Sequence, residues 1–423
     1  MKFKKTTLPN GVRVIVVPTH DNPSATVMVA CESGSNYESK SENGLAHFLE
    51  HMLFKGTPTR PSALSVSTEL DTIGAESNAF TSNEITAYHA KSEKKHWKKL
   101  LEVVSDMYLN PSFPAADLEK ERGVIISEIN MYLDLPQRHV WDVLGKLLYG
   151  ETPAGRPIVG PVENIKKFTR EDFLKYHEKH HVASSTVVVV AGDVAPAAVV
   201  SEVKKIFKEI SKGKKAGKDA VKEKQSAPAL LVEKKKSDQT HMIMALRAHG
   251  ARDKQSVPVS VLMGILGDGM SSRLFQRLRE QMGACYYVRS HNDVYTDHGY
   301  AAISTGVEKA RVVEVVQALI DECKRLTYEE VQDKELQKTK DYMMSHMYMG
   351  LETTDSLASF CVGEEVIHGG VRNAKELEAE IRKVTAKDVM KAAKELFKDQ
   401  NLNLAIVGDI ADTKGIKKVL SFK

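Results

Sequence analysis

The sequence predicts an α+β protein of two related domains, each a mixed, mostly antiparallel sheet covered by helices. At 423 residues the chain exceeds what one ordinary core organises, so two domains are expected. Short β-branched runs alternate with stretches of helical periodicity along it. The end of the first half also recurs at the end of the chain. Ile165, Lys167, Thr169, Asp172, Gly192 and Asp193 return as Ile381, Lys383, Thr385, Asp388, Gly408 and Asp409, each 216 positions later. In both copies a helix precedes an apolar strand that ends in Gly-Asp. The boundaries that follow are a first domain at 1–210, a linker at 211–227 and a second domain at 228–423.

Residues 11–17 and 25–30 are β-branched runs separated by a turn containing Pro and Asn, which reads as paired strands. A helix over 44–54 is closed by Gly56 and Pro58, and a second over 65–73 by Gly74. The polar, alternating stretch 76–89 reads as one or two strands at a sheet edge. Helices follow at 95–109, stopped by Asn110-Pro111, and at 114–133, where Pro114 suits a first turn. Helical patterns continue through 141–148 and 170–180, and the apolar run 186–193 is a buried strand. The Lys- and Gly-rich segment 211–226 reads as a flexible, solvated linker.

Composition excludes several classes. A net charge of +4 set against 60 basic and 56 acidic residues, with lysines spread along the chain, leaves no electrostatic footprint for nucleic acid. Residues 1–11 have a basic start but lack the apolar run of about 7–15 residues that a secretory signal needs. No stretch reaches the ~18 apolar residues of a membrane span. Cys31, Cys285, Cys323 and Cys361 are scattered, without a CxxC pair, which argues against a disulfide framework and for a reducing, cytoplasmic setting.

The chemistry concentrates in His47-Phe48-Leu49-Glu50-His51. At about 100° per helical residue, His47, Glu50 and His51 fall within one arc of roughly 100°. Two imidazoles one turn apart can hold one metal ion, and the carboxylate beside them can take a proton from a metal-bound water. The alternative is a satisfied histidine pair on a polar helix face. A catalytic zinc needs a third protein ligand from elsewhere, and Glu128 is the candidate. It shares a helix face with Glu121, seven residues earlier.

The order His-x-x-Glu-His is the inverzincin signature, and the chain resembles the pitrilysin-type metallopeptidases, especially the short two-domain members related to mitochondrial processing peptidase. In that family a glutamate 77 residues after the second histidine, in a Glu-Arg-x-Val-Ile-x-x-Glu run, is the third ligand. Glu121-Arg122-Gly123-Val124-Ile125-Ile126-Ser127-Glu128 fits that run. The resemblance implies that His47, His51 and Glu128 bind one Zn²⁺ per chain, with Glu50 as general base and Glu121 supporting the site. It further implies that Asn78, Ala79, Phe80 and Thr81 form an edge strand on which a peptide lies by strand addition. Arg279 and Tyr286, seven apart, match the family's arginine and tyrosine pair, so Arg279 would hold substrate backbone and Tyr286 would donate toward the oxyanion. Read from the residues alone, Arg279 pairs with a nearby carboxylate and Tyr286 belongs to the core. Departures from the family's pattern at Gly74-Ala75, Tyr88-His89 and Ala284-Cys285 bear on substrate preference.

The function expected is zinc-dependent endopeptidase action on peptides or unfolded segments by metal-activated water. The rival is a catalytically silent scaffold or peptide-binding subunit of the same fold. Family members close four such domains as a clamshell, and this chain would be half of one. Because it has both the zinc set and the Arg279/Tyr286 pair, a homodimer completing each site in trans is expected. Two other clusters read as ordinary structure: His177, His180 and His181 as a polar helix end, and Met343, Met344, Met347 and Met349 as core spacing.

Overall fold

In a computed structural model, which describes residues 2–20 and 22–423, the strands form two sheets. The first contains β1 (Lys4–Thr7), β2 (Arg13–Pro18), β3 (Ser24–Cys31), β4 (Glu76–Thr81), β5 (Thr86–Glu93) and β6 (Thr186–Gly192), in the order β1-β2-β6-β3-β5-β4. The second contains β7 (Ala229–Lys234), β8 (Thr240–Ala248), β9 (Cys285–Val294), β10 (Gly299–Val307) and β11 (Leu402–Gly408), in the order β7-β11-β8-β10-β9. Each sheet has one parallel pairing, β2 with β6 and β7 with β11, and is otherwise antiparallel.

The repeat is visible at single-residue register. Arg13 lies opposite Val187 in the first sheet, and Ala229 lies opposite Asn403 in the second, so both partners are displaced by 216. The helices Arg170–His180 and Ala386–Leu396 have the same displacement. Each starts from a capping box: Asp172 accepts from Thr169 N at 2.8 Å, and Asp388 accepts from Thr385 N at 2.8 Å.

The compact units do not follow the contiguous halves drawn at 1–210 and 228–423. One consists of the chain up to Ile129, Arg156–Asp219 and Met349–Asn373; the other of Asn130–Gly155, Ala220–Tyr348 and Ala374–Lys423. The two halves exchange a segment. In the first unit the helix Thr354–Gly363 lays Leu357, Ala358, Cys361 and Val362 on Ile15, Val17, Met28, Ala30, Val187 and Val189. In the second, the helix Pro136–Tyr149 lays Val140, Val143, Leu144 and Leu148 on Ile243, Ala245, Ala405 and Val407. Alternation along a strand explains why each sheet needs two covers, since successive side chains point to opposite faces. In the first unit Thr354 shares a 2.8 Å hydroxyl contact with Thr26, Lys91 pairs with Asp355 at 2.8 Å, and Lys5 pairs with Glu365 at 2.7 Å.

Two local expectations change. The segment 211–226 is anchored rather than a free tether. Lys215 pairs with Glu32, and Lys218 Nζ lies 2.8 Å from Glu84, whose side chain is 1% exposed. Further along the same segment, Gln225 donates to Leu402 O at 2.9 Å within the second unit. His177, His180 and His181 face inward instead of capping a solvated end. His181 stacks on Tyr108 with centroids 4.4 Å apart, and His180 Nδ1 meets Ser33 Oγ at 3.0 Å. Burial pushes the His180 ring down to about 4, so it is neutral. Among the described residues no helix is long and apolar enough to cross a membrane.

Candidate metal centre

The helix Leu45–Leu53 owes its position to what happens before it. Gly44 has φ +98°, and a Cβ there would meet Val159 O at 2.8 Å and Gly160 Cα at 2.9 Å. Only glycine allows both that backbone angle and that approach. Glu38, buried seven residues upstream of the helix, substitutes for a cap: its carboxylate accepts from Ala46 N at 2.7 Å, Gly44 N at 2.9 Å and Asn43 Nδ2 at 3.1 Å. Burial pushes this carboxyl up to about 7 against those donors. Phe48 then packs edge-on to Phe173, centroids 4.9 Å apart, which turns the face carrying His47, Glu50 and His51 toward the helix Ala115–Asp134.

On that second helix Arg122 holds the neighbouring turn by donating to Ile165 O and to Phe168 O, the latter at 2.9 Å. Glu128 thereby meets both histidines. Its Oε2 lies 3.6 Å from His47 Nε2 and 3.6 Å from His51 Nε2, and the three ligand atoms all fall within 4.8 Å of one another. Tetrahedral ligands held about 2.0–2.1 Å from zinc sit roughly 3.3 Å apart, so the donor set fits one ion. Glu121 Oε2 takes a hydrogen bond from His51 Nδ1 at 3.1 Å. A carboxylate only accepts, so the proton sits on Nδ1 and Nε2 keeps its lone pair for a metal. Lys55 pairs with the other Glu121 oxygen at 2.6 Å, a contact no sequence pattern had indicated. His47 Nδ1 is buried without a hydrogen-bond partner, and burial beside His51 lowers this ring to about 4, which keeps it neutral.

Glu50 lies on the same helix, with its carboxyl raised above the usual range mainly by burial. Its Oε2 accepts from Thr81 Oγ1 at 2.5 Å. Asn78, Ala79, Phe80 and Thr81 are all on β4, which among the described residues pairs with β5 alone and forms the edge of the first sheet. The first unit therefore brings together His47, His51, Glu128, Glu121, Glu50 and the edge strand.

Arg279 and Tyr286 belong to the second unit and meet each other there. Arg279, in the π-helical turn Phe275–Gln281, donates to Tyr286 O at 2.8 Å, with its guanidinium 5.0 Å from the Tyr286 ring. Tyr286 is 74% exposed on the edge strand β9, so it is not core, and Arg279 makes no ion pair with a carboxylate among the described residues. The neighbouring Cys285 is half-buried, and burial raises its thiol, which leaves little reactive thiolate.

Fold and centre together define a class: a duplicated α+β protein in which a His-x-x-Glu-His helix and a distant glutamate form a cluster that could hold a metal ion. The comparisons make this specific. Residues 13–162 match the family model described as Insulinase (Peptidase family M16), and residues 167–343 match the Peptidase M16 inactive domain. A protein of Bacillus subtilis (strain 168) named as an uncharacterized zinc protease is 32% identical, with 93% of this chain and 96% of that protein covered. A Streptomyces coelicolor protein of the same designation is 30% identical over 97% and 90%. The chain belongs to peptidase family M16. Its fold is also that of a Helicobacter pylori protease (TM-score 0.88, 24% identity, 96% and 99% covered) and of a peptidase M16 inactive domain from Pseudomonas fluorescens (TM-score 0.89, 17% identity, 97% and 99% covered).

Proposed function

We propose that the protein is a zinc-dependent endopeptidase that hydrolyses peptides or unfolded segments. The observation that carries this is the convergence of His47 Nε2, His51 Nε2 and Glu128 Oε2, with Glu50 beside them and a strand edge within reach. Zn²⁺ held by these three residues, one per chain, would supply an acidified water and a Lewis acid for the scissile carbonyl. Glu121, steadied by Lys55, keeps the His51 ring in the tautomer that leaves Nε2 unprotonated. Glu50 takes the proton of the attacking water and delivers it to the leaving amine. The outer edge of β4 holds substrate backbone by strand addition, which gives affinity with little dependence on side chains.

Glu50→Gln is expected to retain zinc at wild-type stoichiometry and to lose hydrolysis of an unfolded peptide by at least ~10²-fold. Wild-type turnover in that variant removes Glu50 from the mechanism. A wild-type chain that binds zinc and peptide without cleaving it favours the silent-scaffold reading instead.

The same proposal includes a homodimer in which Arg279 and Tyr286 of one copy complete the zinc site of the other, Arg279 on substrate backbone and Tyr286 toward the developing oxyanion. What supports it is the exposure of Tyr286 and the presence of both sets in one chain. Mixing Arg279→Ala with Glu50→Gln chains is expected to restore activity, since a mixed dimer has one site intact in both contributions. Absence of recovery means each site is completed within one chain. The four free cysteines, three of them buried, support a cytoplasmic setting.

A further inference from the structure

We propose that Thr81 is the positioning residue for Glu50, and that through it the strand receiving substrate sets the orientation of the base. This rests on the peptidase reading above and adds to it a role for a residue otherwise expected only to present backbone.

Successive side chains along a strand point to opposite faces. Phe80 packs against the core under the exchanged helix, so its neighbours Ala79 and Thr81 point to the opposite face, where the histidine helix lies. Thr81 is the last residue of β4 and has one hydroxyl hydrogen to give. That hydrogen goes to Glu50 Oε2 at 2.5 Å. It is the one hydrogen bond that the Glu50 side chain makes among the described residues, so Oε1 is left unpaired. Glu50 is partly rather than fully buried. One carboxylate oxygen is tethered and the other is free to receive a proton. Without the tether, Glu50 can turn about its terminal torsion, which is broad and has no strong preference of its own.

The tether is itself held. Thr81 is β-branched and stiff at χ1. The turn that follows it closes through Ser82 N to Ile85 O at 2.7 Å and Ile85 N to Ser82 Oγ at 3.0 Å. Asn36 N donates to Asn83 O at 2.8 Å, and Asn83 Nδ2 donates to Ser35 Oγ at 3.1 Å. Glu84 is fixed by Lys218 at 2.8 Å. The β5 side of β4 is thus held, while its outer side has no strand partner among the described residues. A peptide pairing with that outer side would clamp β4 from both directions and narrow the motion of Thr81 Oγ1, and with it of Glu50.

Thr81→Val keeps shape and β-branching and removes the donor, whereas Thr81→Ser keeps the donor. Thr81→Val is expected to lower kcat about 10–100-fold with KM changed less than about 3-fold, and Thr81→Ser to recover most of the loss. Zinc content and melting temperature should be unchanged in both. The ¹³C carboxyl resonance of Glu50, assigned by its loss in Glu50→Gln, should shift in Thr81→Val and return in Thr81→Ser. Wild-type kcat in Thr81→Val, an effect on KM alone, or an unmoved resonance overturns the proposal. The resonance reads the Thr81–Glu50 link whether or not the chain hydrolyses peptide. An inactive wild type with a shifting resonance therefore sinks the peptidase reading, and with it the catalytic consequence of the link.

Discussion

The two units share the order of five strands, a pairing register and the capping boxes of one helix, yet among the described residues only the first gathers three side chains that could hold a metal. Between β3 and β4 the first unit places Leu45–Leu53, with its His-x-x-Glu-His. Between β8 and β9 the second places Ser256–Gly267, which contains neither histidine nor carboxylate and buries Val259, Leu262, Met263 and Leu266 in its core. The frame tolerates either. What separates a metal helix from a core helix is a handful of side chains, supported by Glu38 at the helix start and by Glu121 and Glu128 on the facing helix.

The largest expected effect tests whether the exchange of helices supports both units alike. Leu357→Ala in the first and Leu144→Ala in the second should each destabilise the chain by about 2–5 kcal/mol in urea unfolding. Leu144 is the more completely buried, so it should cost at least as much. A loss below the roughly 0.5 kcal/mol typical of surface positions, for either one, breaks the symmetry of the comparison. An intermediate effect separates the chemistry of the units: Glu121→Gln should weaken zinc affinity about 10–100-fold in a chelator competition, with little change in unfolding midpoint. Undiminished affinity would mean that His51 is oriented by its packing alone. The smallest effect concerns what the units have in common. Thr169→Ala and Thr385→Ala should each cost about 1 kcal/mol or less, with Thr385 the larger, because its hydroxyl accepts from Asp388 N at 3.1 Å whereas the Thr169 hydroxyl makes no such bond to the helix backbone.

The sequence made some of this legible for physical reasons. A metal site on a helix needs its ligands one turn apart, so His47 and His51 could be read from the helix itself, whereas Glu121 and Glu128 shared a face by their spacing and took their roles from the family resemblance. The repeat survived in Thr169/Asp172 and Thr385/Asp388 because a capping box tolerates few residue types. The exchange was not legible: the apolar stripe Val140, Val143, Leu144 and Leu148 says that a helix covers something, not which sheet. Lysine- and glycine-rich composition suggested a loose linker, since the partners Glu32 and Glu84 lie more than a hundred positions away. His177 and His181 read as polar because nothing nearby in sequence announces the buried Tyr108 beneath them. Glu38 and Lys55 act through contacts that no motif encodes, and Thr81 was readable as a strand residue but not as a tether.

The exchanged helices bear on how the chain is made. Strands β1 to β6 are complete once Gly192 has been synthesised, but the helix that covers Ile15, Met28 and Val189 begins only at Thr354. At ~5–20 residues per second the ribosome needs on the order of 10–30 s to reach it. During that interval one face of the first sheet has no permanent partner, and the helix Pro136–Tyr149 waits longer still for β11, which begins only at Leu402. Neither unit can finish before nearly the whole chain has emerged. The nascent protein therefore presents apolar β-surface for many seconds, the condition under which folding chains are most prone to aggregate.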